Sequence, residues 1–298
     1  MRTLSFLILL TACTIPSMAQ DQYLLYSYKG NVTVVEKTVE SKAKAGKPLD
    51  ASATLKVPAG ASVTLICNEA AMFTISKPGN YAMAKFSDSC RVTSTNVSAN
   101  YVKYVWAQMT KPSGSPGSNR KAYMNTVGAV SRSINNVWVD PRLDTVNYSG
   151  GVFPLSWKSY AEAKEFDFFL FYDTDMMNPF YSSTVTKLKI EIPSFLARMK
   201  PGKSYFWIAA VKGEENEERK VLNFVTKETY EQVLRNIKSQ AGGVEAPAEE
   251  AYRIAFMLED AHYLAEAYEY YVKAAQLDSA NVLYRSTLMS FKKDYEIK

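Results

Sequence analysis

His262 is the only imidazole among 298 residues, so any chemistry that needs a histidine must be built around it. Its neighbours Glu259 and Asp260 lie in the same helical stretch, and a zinc site would need further ligands brought from elsewhere. A surface or inter-helix histidine is the simpler reading. Asp173-Thr174-Asp175 offers a pair of carboxylates for a metal ion, but no nucleotide-binding βαβ unit surrounds it and Met176 to Pro179 reads as a turn. Glu214, Glu215, Glu217 and Glu218 could attract calcium. A calcium loop, however, needs several oxygen ligands on a tight, fixed backbone path, and a charged hairpin tip accounts for the cluster. Ser41-x-x-Lys44 and Ser290-x-x-Lys293 place a serine three residues before a lysine, without the companion Ser-Asp-Asn or Lys-Thr-Gly elements that a serine nucleophile of that type requires. The chain has no glycine-rich phosphate loop, no Gly-x-Ser-x-Gly elbow and no Cys-x-x-Cys pair. These residues predict a protein that is not an enzyme and carries no metal and no cofactor.

The start of the chain is read as an address. Arg2 is followed by the apolar run Leu4 to Leu10, then Pro16 and the small residues of Ser17-Met18-Ala19 ahead of Gln20. That is the layout of a secretory signal peptide over 1–19, and the run is about half of the roughly 20 apolar residues that span a bilayer. A second reading stays open, because Leu10-Thr11-Ala12-Cys13 is similar to the bacterial lipoprotein signal, which would leave Cys13 acylated. Either way Cys67 and Cys90 remain, an even number in an oxidising compartment. A disulfide between them would close a loop of about two dozen residues and contribute roughly 3 kcal/mol. The alternative is two separately buried thiols, since Cys67 ends the apolar run from Val63.

Composition bounds the rest. With 47% hydrophobic, 22% charged and 13% aromatic residues, most of the chain can bury real cores. A formal charge of +5 without a basic block excludes nucleic acid as an obvious partner. No later segment reads as transmembrane. The pattern divides into a first module at 22–110, a Pro/Gly/Ser-rich linker at 111–136, a second module at 137–227 and a helical region at 228–298. The fold class is therefore multidomain: a small β-rich module and an antiparallel β-sandwich in the first two-thirds, and helices at the C-terminus.

In the first module, short β runs (Tyr23 to Tyr28, Asn31 to Glu36, Ala53 to Val57, Val63 to Cys67 and Met72 to Ile75) are cut by glycine and proline turns. A helical period follows at Val97, Tyr101, Tyr104, Val105 and Met109, with Ser94 to Asn96 able to cap. The succession Gly30-x-Val32, Ala45-Gly46-Lys47-Pro48-Leu49, Ala61-Ser62-Val63-Thr64-Leu65 and Met72-Phe73-Thr74-Ile75 resembles the extracytoplasmic domain of ferric-citrate-regulator-like (FecR-like) proteins. The resemblance covers about 65 residues and implies a small envelope module used for signal reception or protein contacts. Those regulators carry a cytoplasmic segment and a membrane helix ahead of the domain. Here a signal peptide leads into it, so the resemblance implies the envelope setting and not a direct anti-sigma-factor role.

The second module has strand-like runs at Val152 to Trp157, Glu165 to Tyr172, Val185 to Ile192, Ser204 to Val211 and Val221 to Thr226. It resembles a fibronectin type III-like domain, with Trp157 where such domains bury a tryptophan and Pro201 to Trp207 as the penultimate strand. The third module opens with a helix at Glu228 to Gln240 and a hinge at Ala241-Gly242-Gly243, followed by helices near Glu249–Tyr263, Leu264–Leu277 and Asn281–Tyr295. The run Ala265 to Asp278 closely resembles the second helix of a tetratricopeptide repeat. Ala255, Ala267, Tyr271 and Ala274 fall on its packing positions, and Ser279 stands where the repeat usually has proline. About one and a half repeats fit, short of the three a solenoid usually needs, so the last helix must find apolar cover.

The resemblance implies protein binding, with Leu283, Tyr284, Leu288 and Phe291 as candidate partner-binding residues. The alternative is that this helix docks on its own preceding pair or on the sandwich and completes the fold. The expected protein is a non-catalytic, exported, periplasmic or cell-envelope-associated interaction, scaffold or sensory module with a protein partner. The runner-up is a glycan- or peptidoglycan-binding protein, for which Trp106 and Trp138 are the aromatics most expected to be exposed.

Overall fold

Glycine and proline turns cut the first module into short strands, and the strands gather into two antiparallel sheets. One contains β1 (Tyr23–Lys29), β4 (Pro48–Leu49), β6 (Ser62–Cys67) and β7 (Ala71–Ile75) in the order β4-β1-β6-β7. The other contains β2 (Thr33–Glu36), β3 (Val39–Lys42), β5 (Thr54–Val57) and β8 (Gly79–Ala82) in the order β3-β2-β5-β8. The turn from β1 to β2 needs Gly30: its φ is +80°, and a Cβ there would lie 2.9 Å from that of Ala61. The computed structural model describes residues 21–91, 98–110, 120–123, 136–241 and 245–298. The leader with Cys13, the capping residues 94–96, residues 111–119 and 124–135 of the linker, and 242–244 of the hinge lie outside the described residues.

Period-two alternation on β1 serves two cores at once. Tyr23 and Leu25 join Val34, Leu55, Val63 and Leu65 between the two sheets. Leu24 and Tyr26 point the other way, and with Ile66 and Met72 they belong to a second, larger core. A sheet covered on both faces reads as a continuous apolar run, which is why β1 opens with Tyr23 to Tyr26 and no polar residue between them. The Cys67–Cys90 disulfide ties the end of β6 to the segment after β8, across 23 positions of sequence.

Helix α1 (Ala99–Thr110) lies on the outer face of that sheet and buries Tyr101, Val102, Tyr104, Val105 and Trp106. Trp106 is thus a core residue and not an exposed aromatic, because it falls on the helix stripe that faces the larger core. The 111–136 segment is not a free linker throughout. Arg120–Tyr123 forms one short helical turn, and the Arg120 side chain is wholly buried.

The second module is a sandwich. Its larger sheet holds β10 (Thr145–Tyr148), β13 (Phe166–Tyr172), β14 (Tyr181–Val185), β16 (Lys203–Val211) and β17 (Lys220–Phe224), ordered β10-β17-β16-β13-β14. The pairs are antiparallel except that β10 runs parallel to β17. The pair β11 (Pro154–Ser156) and β15 (Lys189–Glu191) covers its inner face, and β9 (Val137–Trp138) pairs with β12 (Lys158–Ser159). Trp157 is buried edge-on to Phe166, and Phe168 stacks on Trp207 at 5.9 Å and on Phe195 at 5.5 Å between ring centroids.

The C-terminal helices are α2 (Lys227–Ser239), α3 (Pro247–Asp260), α4 (Leu264–Leu277) and α5 (Val282–Asp294). Helix α3 is buried nearly all round, at almost every position from Ala248 to Glu259, with Glu249, Arg253 and Glu259 among the buried residues, as in a helix enclosed by neighbours. Tyr101 and Tyr104 of α1 meet Phe256 on one side, and α4 packs on the other. One hydrophobic core thus runs through the outer face of the first sheet, α1, the sandwich and α3 to α5. No described helix is long and apolar enough to cross a membrane.

Candidate functional site

The four partner-binding candidates on α5 divide by face. Phe291 is fully buried, with its ring centroid 4.6 Å from that of Tyr295 and 5.3 Å from that of Tyr271. Tyr284 is 7% exposed and lies 4.7 Å from Tyr252, ring to ring. Leu283 and Leu288 are half-buried against the same core. The expectation of an open binding stripe is corrected for Tyr284 and Phe291, because α5 docks on α3 and α4 and also on the sandwich. Phe153 reaches Tyr295 at 5.7 Å between centroids, and Lys189 donates to the Glu296 carbonyl at 2.8 Å. The apolar side chains that α5 does expose are Val282 and Met289.

Beneath α5 sits a buried polar centre. The Arg120 guanidinium pairs with the Glu259 carboxylate at 2.9 Å and with Asp294 at 3.0 Å, and it donates to Ser290 Oγ at 3.1 Å. Glu259 also accepts from the Tyr271 and Tyr295 hydroxyls at 2.9 and 3.1 Å. The carbonyl of the same residue accepts from Arg142 Nη2. Arg120 further lies over the Phe291 ring, 5.3 Å from its centroid. Five segments of the chain therefore meet at Glu259, four of them at a carboxylate that carries no solvent exposure. Sequence reasoning missed it, since Arg120 follows a Pro/Gly/Ser stretch that reads as solvated and Glu259 sits beside other acids.

A second polar group lies where α3 meets the first module. Glu249, in the first turn of α3, is 3% exposed. It accepts from Ser27 Oγ of β1 at 3.0 Å and reaches back to the Ala246 N–H at 3.4 Å. Burial, with the nearby Glu245 charge adding to it, pushes its carboxyl up to about 7 against the pull of the Ser27 bond. Two adjoining clefts of about 200 and 250 Å³ open beside it, and Leu283 and Tyr284 line the first of them. One turn along α3, Arg253 grips Glu245 through two bonds of 2.6 and 2.8 Å and donates to the Ile237 carbonyl.

His262 is part of the framework. With φ at +63° it turns the chain out of α3, and its carbonyl accepts from the Asn147 N–H at 2.9 Å. Burial and the charge of Arg142 hold the imidazole below its ordinary range. Among the described residues, the one group of His, Cys, Asp or Glu donors close enough to share an ion is Asp21 with Cys67 and Cys90. Both sulfurs of that group are bonded to each other. Asp175 is occupied in its turn, accepting from the backbone N–H groups of Met177 and Asn178. No family model and no curated protein matches the chain. Its site is read from its own geometry.

Proposed function

We propose that this chain is a non-catalytic, exported protein of the cell envelope that acts as an interaction or scaffold module for a protein partner. One observation carries the reading: the helices and both β modules share a single core, which fixes their outer surfaces relative to one another as a rigid scaffold requires. The interior charges support it. Arg120 pairs with Glu259 and Arg253 with Glu245, while tyrosine hydroxyls join β1 to α1 (Tyr26 with Tyr101) and the first module to α3 (Tyr104 with Tyr252). These are groups engaged in holding elements together. The Cys67–Cys90 bond supports an oxidising compartment. The FecR-like, fibronectin type III-like and tetratricopeptide-like resemblances support protein contacts in an envelope setting. The glycan-binding alternative leaned on Trp106 and Trp138. The first is buried, and the ring of the second lies under the Lys158 ammonium.

The test is a pull-down from crosslinked envelopes with identification of what co-purifies. A discrete protein is the expected result. Retention on insoluble cell wall or on a polysaccharide column, with no protein partner, would replace this reading with the glycan one. Export is checked by intact mass: the mature chain begins at Gln20, whereas a mass beginning at Cys13 with acyl chains would make it a lipoprotein.

A further inference from the structure

The larger sheet of the sandwich carries an apolar patch on its outer face, beside polar positions such as Asp167, Ser182 and Thr184. On β13, Phe166, Phe168 and Leu170 point into the core, which leaves Phe169 and Phe171 on the opposite face. On β16, Ile208 lies beside them, paired across the strands with Phe169. A sheet face turned to water ordinarily carries polar side chains. Two loops rise over this apolar floor and cover much of it, leaving Phe171 and Ile208 each 6% exposed and Phe169 half-buried. The β13–β14 loop is pinned by the Asp175 turn and carries Met176 and Met177. The β16–β17 loop is pinned by Asn216, which donates to the Ala209 carbonyl at 2.7 Å, and carries Glu214, Glu215 and Glu217. Between them runs a groove of about 410 Å³.

We infer that this groove is a docking site for a peptide segment of a partner protein that carries lysine or arginine beside bulky apolar side chains. The inference rests on the protein-interaction reading above and names its surface and chemistry. Met177 is 83% exposed at the lip of an aromatic floor, and methionine is the side chain best able to repack around varied apolar groups. The opposite wall is acidic on a chain whose formal charge is +5. Glu214 receives the Asn136 amide and Glu218 pairs with Lys220, while Glu215 and Glu217 have no ion-pair partner among the described residues. Arg219 also lines the groove, stacked on the Phe171 ring and bonded to the Met176 carbonyl, and its charge offsets one of the three glutamates there, which leaves the lining net negative toward an incoming chain. Apolar floor, yielding wall and acidic wall match an apolar anchor flanked by positive charge.

The experiment uses the full chain and a fluorescein-labelled octapeptide alternating lysine with leucine, with a glutamate–leucine octapeptide as counterpart. Anisotropy should show binding of the lysine peptide alone. Affinity should fall by about tenfold or more in the double variant Glu215→Lys, Glu217→Lys and in Met177→Asn, and should be unchanged in Glu231→Lys, a charge reversal on α2. Bound peptide should also slow peroxide oxidation of Met177. Absence of binding, equal affinity in the groove variants, or unprotected Met177 would each overturn the groove as the docking site. The envelope pull-down repeated with the double variant separates the two levels. Loss of the partner agrees with the groove, and an unchanged partner removes the groove while leaving the interaction reading intact.

Discussion

A carboxyl taken out of water holds its proton, and Glu249 is such a group at the joint between the first module and α3. Its rise from 4.5 to about 7 means that the folded chain binds the proton more tightly than the unfolded chain does. The associated stability, on the order of 3 kcal/mol, is complete below pH 4.5 and fades as pH rises through about 7. Glu249→Gln, which keeps the shape and an acceptor for Ser27, should abolish that slope and leave the protein more stable than wild type at pH 8. Urea titrations at pH 5, 6, 7 and 8 measure it, and parallel curves for the two proteins would refute the assignment. Glu259 is buried as well, and a guanidinium and two phenols hold it. Glu259→Gln leaves the Arg120 charge buried with the partly exposed Asp294 as its counter-ion among the described residues and should lower stability by about 3 kcal/mol or more at pH 7. A change under 1 kcal/mol in the urea midpoint analysis would mean that Arg120 is relieved by Asp294 alone.

At the scale of elements, α5 decides whether the C-terminus binds or supports. Its stripe of Tyr284, Thr287, Phe291 and Tyr295 is covered by α3, α4 and Phe153. Ending the chain after residue 281 would uncover the rings of Tyr252, Tyr268 and Tyr271 and remove Ser290, Phe291 and Asp294, three partners of Arg120. Such a protein should aggregate or lose its near-ultraviolet dichroism, and a soluble, native-like truncation would return α5 to the role of a detachable binding arm. The helical period of that stripe is plain in the sequence, as are the turn-punctuated strands and the pair Cys67 and Cys90. What covers the stripe is not, because an apolar face states that it needs a partner and not whose surface supplies it. The same limit applies to β1, where Leu24 and Tyr26 serve one core and Tyr23 and Leu25 another, so alternation disappears into an apolar run. Composition hid Arg120, since a window rich in proline, glycine and serine averages away one buried cation. The groove glutamates were visible as a cluster. Their aromatic floor was not, because it forms only when β13 and β16 pair and the two loops fold back over them.

For the whole molecule, the question is whether three modules unfold as three bodies or as one. The first module has its own core between its two sheets, with a disulfide attached, and could in principle outlast the rest. Against that stands the outer face of its first sheet. Leu24, Ile66 and Met72 are buried there by the larger core, and baring them would cost roughly 5–9 kcal/mol, at about 1.5–3 kcal/mol for each side chain. That is comparable to the entire stability of an ordinary domain, about 5–15 kcal/mol, before the hydroxyl pair Tyr26–Tyr101 and the Ser27–Glu249 bond are also broken. The seam is therefore as strong as the modules, and the chain should unfold in one step. Trp106, Trp157 and Trp207 all lie in the larger core, and no tryptophan lies in the strands of the first module, so the two regions report through different probes. Tryptophan fluorescence follows the larger core, and the far-ultraviolet signal includes the first module. Urea transitions by the two probes should superimpose, with the disulfide intact, in equilibrium unfolding at pH 6. A fluorescence transition complete at lower urea, with a residual β signal that melts later, would show that the first module folds independently and that the shared core is a contact between separate domains.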